Sequence, residues 1–80
     1  MELVPVYMPK YGMTMEAGLI VEWLVKEGDQ VQAGQSLAVI ETEKVNTELE
    51  SPASGTIAEI SAEADSEVVV GGIIAYIEKS

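Results

Sequence analysis

The residues best placed to do chemistry lie in Glu41-Thr42-Glu43-Lys44-Val45-Asn46-Thr47-Glu48, at the middle of the chain. Apolar residues lead in through Leu37-Ala38-Val39-Ile40. An alternating run leads out, with Val45, Thr47 and Leu49 on one parity and Asn46, Glu48 and Glu50 on the other. Two strands flanking a short polar tip predict a β-hairpin. One lysine stands at that tip among Glu41, Glu43, Glu48 and Glu50. These carboxylates stabilise its ammonium form, so the amine gains no special nucleophilicity from them. The chemistry that suits an ordinary amine on a displayed turn is enzymatic attachment of a group. Lys44 is thus a candidate covalent attachment point, and the rest of the chain is the scaffold that presents it.

The scaffold has to be small. Eighty residues make one domain with one core. The chain has no cysteine and no histidine. That removes a disulfide framework, a thiolate nucleophile, the commonest general base and the commonest metal ligand. No set of groups remains that could serve together as nucleophile, base and oxyanion donors, so the chain by itself is not expected to be an enzyme. Fourteen acidic residues against four basic ones give a net charge of -10. Nucleic acid and anionic membrane surfaces are therefore not expected partners, because both are bound through basic residues. The longest apolar run, Val68 to Ile77, is ten residues, whereas a spanning helix needs roughly 20. No secretory signal stands at the start, and the expected setting is soluble and intracellular.

Short strands punctuated by Gly and Pro predict an all-β sandwich or barrel. The expected strands are Val4 to Met8, with Pro5 marking an edge, then Leu19 to Val25, Leu37 to Ile40, the strand after the tip, Thr56 to Ile60, Val68 to Val70, and Ile73 to Ile77. Val31 reads as an isolated apolar position. Trp23 is expected in the core or half-covered on a sheet. Met13 and Met15 read as loop packing, with a partner-facing patch as the alternative.

The chain also repeats itself at a spacing of 37 positions. Gly18 meets Gly55, Ile20 meets Ile57, Glu22 meets Glu59, Val31 meets Val68, and Gly34 meets Gly71. Ala38, Ile40 and Glu41 meet Ala75, Ile77 and Glu78. The expectation is two similar halves about an approximate two-fold axis. Lys44 maps just past the last residue, so the chain ends should lie together, opposite the hairpin tip.

With these marks in place, the chain resembles a lipoyl domain of the biotinyl/lipoyl carrier family. The resemblance rests on Met8-Pro9-Lys10, Met15-Glu16-Ala17-Gly18, Glu27-Gly28-Asp29 with Val31, Gly34, Glu41-Thr42-Glu43-Lys44-Val45, and Ser51-Pro52 with Gly55. It covers essentially the whole chain. It implies a flattened β-barrel of two four-stranded antiparallel sheets, with Lys44 carrying lipoate in amide linkage. Glu43 and Val45 would flank it as recognition residues, in place of the family's Asp and Ala. Glu41, Thr42 and Glu48 are candidates for partner recognition. The implied partners are a lipoate ligase or lipoyl transferase, a thiamine-dependent decarboxylating component, an acyltransferase core and a dihydrolipoyl dehydrogenase. The implied role is a swinging arm, itself monomeric, within an acyltransferase of a 2-oxoacid or acetoin dehydrogenase complex, in the bacterial cytoplasm or the mitochondrial matrix. Two other readings compete. One is a biotin carboxyl carrier domain, whose lysine usually lies between methionines. The other is an unmodified β-domain that serves as a docking module.

Overall fold

A computed structural model describes residues 2–13, 15–42 and 45–79. Eight strands follow one another: β1 (Glu2–Tyr7), β2 (Ala17–Trp23), β3 (Gln30–Val31), β4 (Ser36–Glu41), β5 (Asn46–Glu50), β6 (Gly55–Ile60), β7 (Glu67–Val69) and β8 (Ile73–Lys79). They form two four-stranded sheets, ordered β1-β8-β6-β3 and β5-β4-β2-β7, with every pairing antiparallel. The flattened two-sheet architecture expected from the sequence is the one observed.

The inward parity of each strand supplies the core. Ile20, Leu37, Ile40, Ile57, Ile74 and Ile77 are completely or almost completely buried, each burial contributing about 1.5–3 kcal/mol relative to exposure. Val4, Trp23 and Ile60 pack against this cluster. Trp23 keeps its indole N–H satisfied by donating to the Ala62 carbonyl at 2.8 Å, as a half-buried tryptophan must.

The two-fold repeat extends to single hydrogen bonds. Ile40 pairs with Ile20 and Ile77 with Ile57, and these pairs are 37 positions apart. Bulges fall between Ile20 and Glu22 and between Ile57 and Glu59. The Gly28 amide donates to the Ile57 carbonyl, and the Asp65 amide to that of Ile20. Gly34 and Gly71 share a φ of 88°, and their amides donate to Ser51 and Met8 respectively. β5 and β1 therefore occupy equivalent places, although they stand near the middle and at the start of the chain.

Strand limits differ from the expected ones for local reasons. Val31 is not isolated: it pairs with Gly55 in the two-residue strand β3, too short to produce a readable alternation. Met8 lies beyond β1, where its backbone bonds to the Gly71-Gly72 turn and its side chain is buried. Val70 belongs to that turn and not to β7.

This topology separates the tip from the chain ends. β7 pairs with the start of β2, beside the Leu19–Glu41 rung that leads into the hairpin. The chain turns there into β8, which carries it away to the Lys79–Glu2 rung. The folded body measures 36 × 19 × 19 Å.

Candidate functional site

β4 and β5 run in register through Ile40–Thr47 and Glu41–Asn46. The next step closes the hairpin. The Thr42 amide donates to the Val45 carbonyl at 2.9 Å. The Thr42 hydroxyl donates to the same carbonyl at 2.8 Å, and the Val45 amide donates back to the hydroxyl at 3.3 Å. Only positions 43 and 44 lie between these bonded residues. Glu43 and the expected attachment residue Lys44 themselves lie outside the described residues.

The bonds matter because Val45, the described residue that leaves the turn, gains little from burial. Val45 has the inward parity of Thr47 and Leu49, but it stands past the end of the core and is 59% exposed, while Leu49 is buried. Thr42 is thus tied to the turn backbone, and its side chain holds the loop shut as a Ser/Thr turn residue does.

The acidic candidates divide. Alternation along the ladders puts Glu41, Asn46, Glu48 and Glu50 on the outer face of the β5-β4-β2-β7 sheet. Glu41 is exposed at the rung next to the tip. Glu48 sits opposite Val39, two residues further down β5, and accepts a hydrogen bond from the Ser36 hydroxyl. Glu41 and Glu48 therefore share one face at different distances from the loop.

The loop between β1 and β2 contributes a neighbour that the sequence did not single out. Burial first, and the Glu50 carboxylate second, push the Tyr11 phenol above its ordinary pKa. The Tyr11 amide bonds to the Met15 sulfur at 3.2 Å, and Met15 packs on the core. Met13, two residues away, is 93% exposed. The two methionines thus have different roles, and only Met15 is a packing residue.

Four lysines compete as attachment points by sequence, at positions 10, 26, 44 and 79. Lys10 follows the end of β1, Lys26 lies in the turn closed onto the Asp29 carboxylate, and Lys79 pairs with Glu2. Position 44 alone among them falls in the two-residue connection of a hairpin.

Residues 4–77 match the family described as biotin-requiring enzyme, the biotin/lipoyl family. The chain belongs to that family. It is 44% identical over 73 residues to the dihydrolipoyllysine-residue acetyltransferase component of the pyruvate dehydrogenase complex of Mycobacterium bovis, covering 91% of this chain and 13% of the relative. It is 43% identical over 74 residues to the acetyltransferase component of the acetoin cleaving system of Bacillus subtilis, covering 92% of this chain and 19% of the relative. The chain thus spans less than a fifth of these relatives' lengths. Among solved structures, the lipoyl domain of the 2-oxoglutarate dehydrogenase complex from Azotobacter vinelandii superposes with a TM-score of 0.71 at 26% identity, covering 94% of this chain and 99% of that domain. A long-chain acyl-CoA carboxylase contains a segment that superposes with a TM-score of 0.80 at 20% identity, over 98% of this chain and 7% of that one. At that identity the match speaks for the shared fold. The chain is a carrier domain of the lipoyl type.

Proposed function

We propose that Lys44 bears lipoate in amide linkage and that the domain carries it between the active sites of a 2-oxoacid or acetoin dehydrogenase complex. The observation that carries this reading is the hairpin closed by Thr42 and Val45, which has Glu43 and Lys44 as its entire connection in a chain of this family. Such a connection fits the group. Thr42 and Val45 fix the backbone on either side of positions 43 and 44, at the end of the body away from the Glu2–Lys79 rung. The kinship with acetyltransferase components supports placement within a longer acyltransferase.

Attachment joins the Nζ amine of Lys44 to an activated lipoate carboxyl, with loss of the activating group and of an amine proton. Lipoate, once attached, supplies the dithiolane redox and acyl-carrying chemistry; the protein supplies position and recognition. The scaffold holds Thr42 and Val45, the residues that flank positions 43 and 44, by three hydrogen bonds. The outer-face carboxylates Glu41, Glu48 and Glu50 give that face a negative field, which steers the domain to basic surfaces on the decarboxylating component or the dihydrolipoyl dehydrogenase. Transient visits of this kind depend on association rate and tethering more than on affinity.

A biotin carboxyl carrier is the second reading, since the matched family is described as biotin-requiring enzyme. Intact mass separates the two. Incubation of the 80-residue chain with lipoate, ATP and a lipoate ligase is expected to add one lipoyl group, and Lys44→Arg to remove the addition with the fold retained by circular dichroism. Biotin added at Lys44 by a biotin ligase, with no lipoyl product, would replace this reading by the second.

A further inference from the structure

We infer that Thr42 is a positioning residue for modification, acting through its hydroxyl on the backbone of the turn; this rests on the proposal that Lys44 is the lipoate acceptor. Two-residue hairpin connections form with least strain when they contain Gly, Asn or Asp, since the favoured turns need positive φ. The connection here is Glu43-Lys44, and neither residue is of that kind. A connection of this composition gains from hydrogen bonds between the residues that flank it.

Thr42 is in place to supply them. One side chain makes two of the three hydrogen bonds that join the ends of the loop: its hydroxyl donates to the Val45 carbonyl and accepts from the Val45 amide. The third is the backbone bond from the Thr42 amide. Among the described residues of the turn, Val45 is exposed and adds little apolar burial to this clamp. The two-fold mate of the Thr42–Val45 pair is the Lys79–Glu2 rung, where a lysine stands at the place of Thr42 and brings no hydroxyl. The clamp therefore belongs to the tip and not to the repeated frame.

A ligase must find the lysine backbone in one orientation. If the clamp is lost, the turn spends part of its time in other conformations, and apparent affinity falls in proportion to the competent fraction. The rate within the bound complex stays the same, because binding restores the competent turn.

The test uses the full 80-residue chain, purified lipoate ligase, lipoate and ATP, with intact mass as readout. Thr42→Val removes the hydroxyl at nearly constant shape, and Thr42→Ser retains it. Losing these bonds is expected to raise KM about fivefold, within the range that one or two hydrogen bonds supply, with kcat unchanged. Thr42→Ser should restore KM to within about twofold of wild type by the same reasoning. The denaturation midpoint of Thr42→Val should stay near wild type, while amide exchange at Val45 accelerates. Wild-type kinetics for Thr42→Val, or Ser behaving like Val, would overturn the inference; the latter result would assign Thr42 to direct contact with the ligase. Failure of the ligase to modify wild-type Lys44 would instead remove the carrier reading, and the inference with it.

Discussion

The two outer faces of this domain sit on the same backbone frame and differ in chemistry at several matched positions, although Glu78 and its mate Glu41 are identical. On the β1-β8 side the outward positions include Leu3, Pro5, Tyr7, Ile73 and Tyr76. Their two-fold mates on the β5-β4 side are Asn46, Glu48, Glu50, Ser36 and Val39. The rungs match one for one: Leu3–Glu78 with Asn46–Glu41, Pro5–Tyr76 with Glu48–Val39, and Tyr7–Ile73 with Glu50–Ser36. The frame thus accepts apolar or acidic residues outside, and its stability resides in the inward parity. The acidic set Glu41, Glu48 and Glu50 lies on the sheet that leads to the lysine hairpin.

The largest effect expected from breaking the two-fold comparison is at Gly55 and Gly18, which are mates. A Cβ at Gly55 would run into the Glu78 carbonyl, a backbone atom. A Cβ at Gly18 would come to 2.9 Å from the Met8 sulfur and 3.0 Å from Met15 Cε and Ile40 Cγ2, all side-chain atoms. Backbone cannot move aside without disturbing the β6–β8 ladder, whereas methionine ends can. Gly55→Ala should cost about 3 kcal/mol or more and Gly18→Ala about 1 kcal/mol in chemical denaturation. Equal losses would mean that the two close approaches are energetically alike.

Gly34 and Gly71 sharpen the comparison in the opposite sense. Both have φ of 88°, and both have open space where a Cβ would go. The cost of alanine is then purely conformational and equal, about 1–2 kcal/mol at each site. A difference in denaturation midpoint corresponding to more than about 1 kcal/mol would show that the turns are not equivalent.

The smallest effect is expected on the outer faces themselves. Replacing Leu3 by Asn, the residue at its two-fold mate, should change stability by no more than about 0.5 kcal/mol, as for other exposed sites. A larger loss would show that the apolar outer face supports the fold.

Much of this was legible in the sequence. The repeat of 37 positions fixes which turns and rungs correspond, because Gly34/Gly71 and Ile40/Ile77 recur where backbone conformation and core packing demand them. The alternation after the tip gives the parity of Thr47 and Leu49. The sequence does not reveal β3, because two residues cannot show a period. It does not distinguish Gly18 from Gly55, because the difference lies in what packs above each one. Asp65 takes a φ of 70° where its mate is Gly28, a substitution that hides the equivalence of those turns. Threonine at the start of a short turn commonly bonds its backbone, so the type of Thr42 hints at the clamp, while its partner Val45 is set by the hairpin geometry.

The central claim is that position in the clamped hairpin, and not reactivity, selects Lys44 over Lys10, Lys26 and Lys79. The most direct test moves the amine one place while keeping composition and charge: the double change Glu43→Lys with Lys44→Glu, incubated with lipoate, ATP and lipoate ligase and followed by intact mass. The two positions of a two-residue connection are not equivalent, so the shift separates recognition of position from recognition of an exposed amine. Modification is expected to be abolished or sharply reduced while circular dichroism stays that of the folded protein. Efficient lipoylation of Lys at position 43 in the folded double variant would contradict the claim and leave an exposed amine in an acidic loop as sufficient.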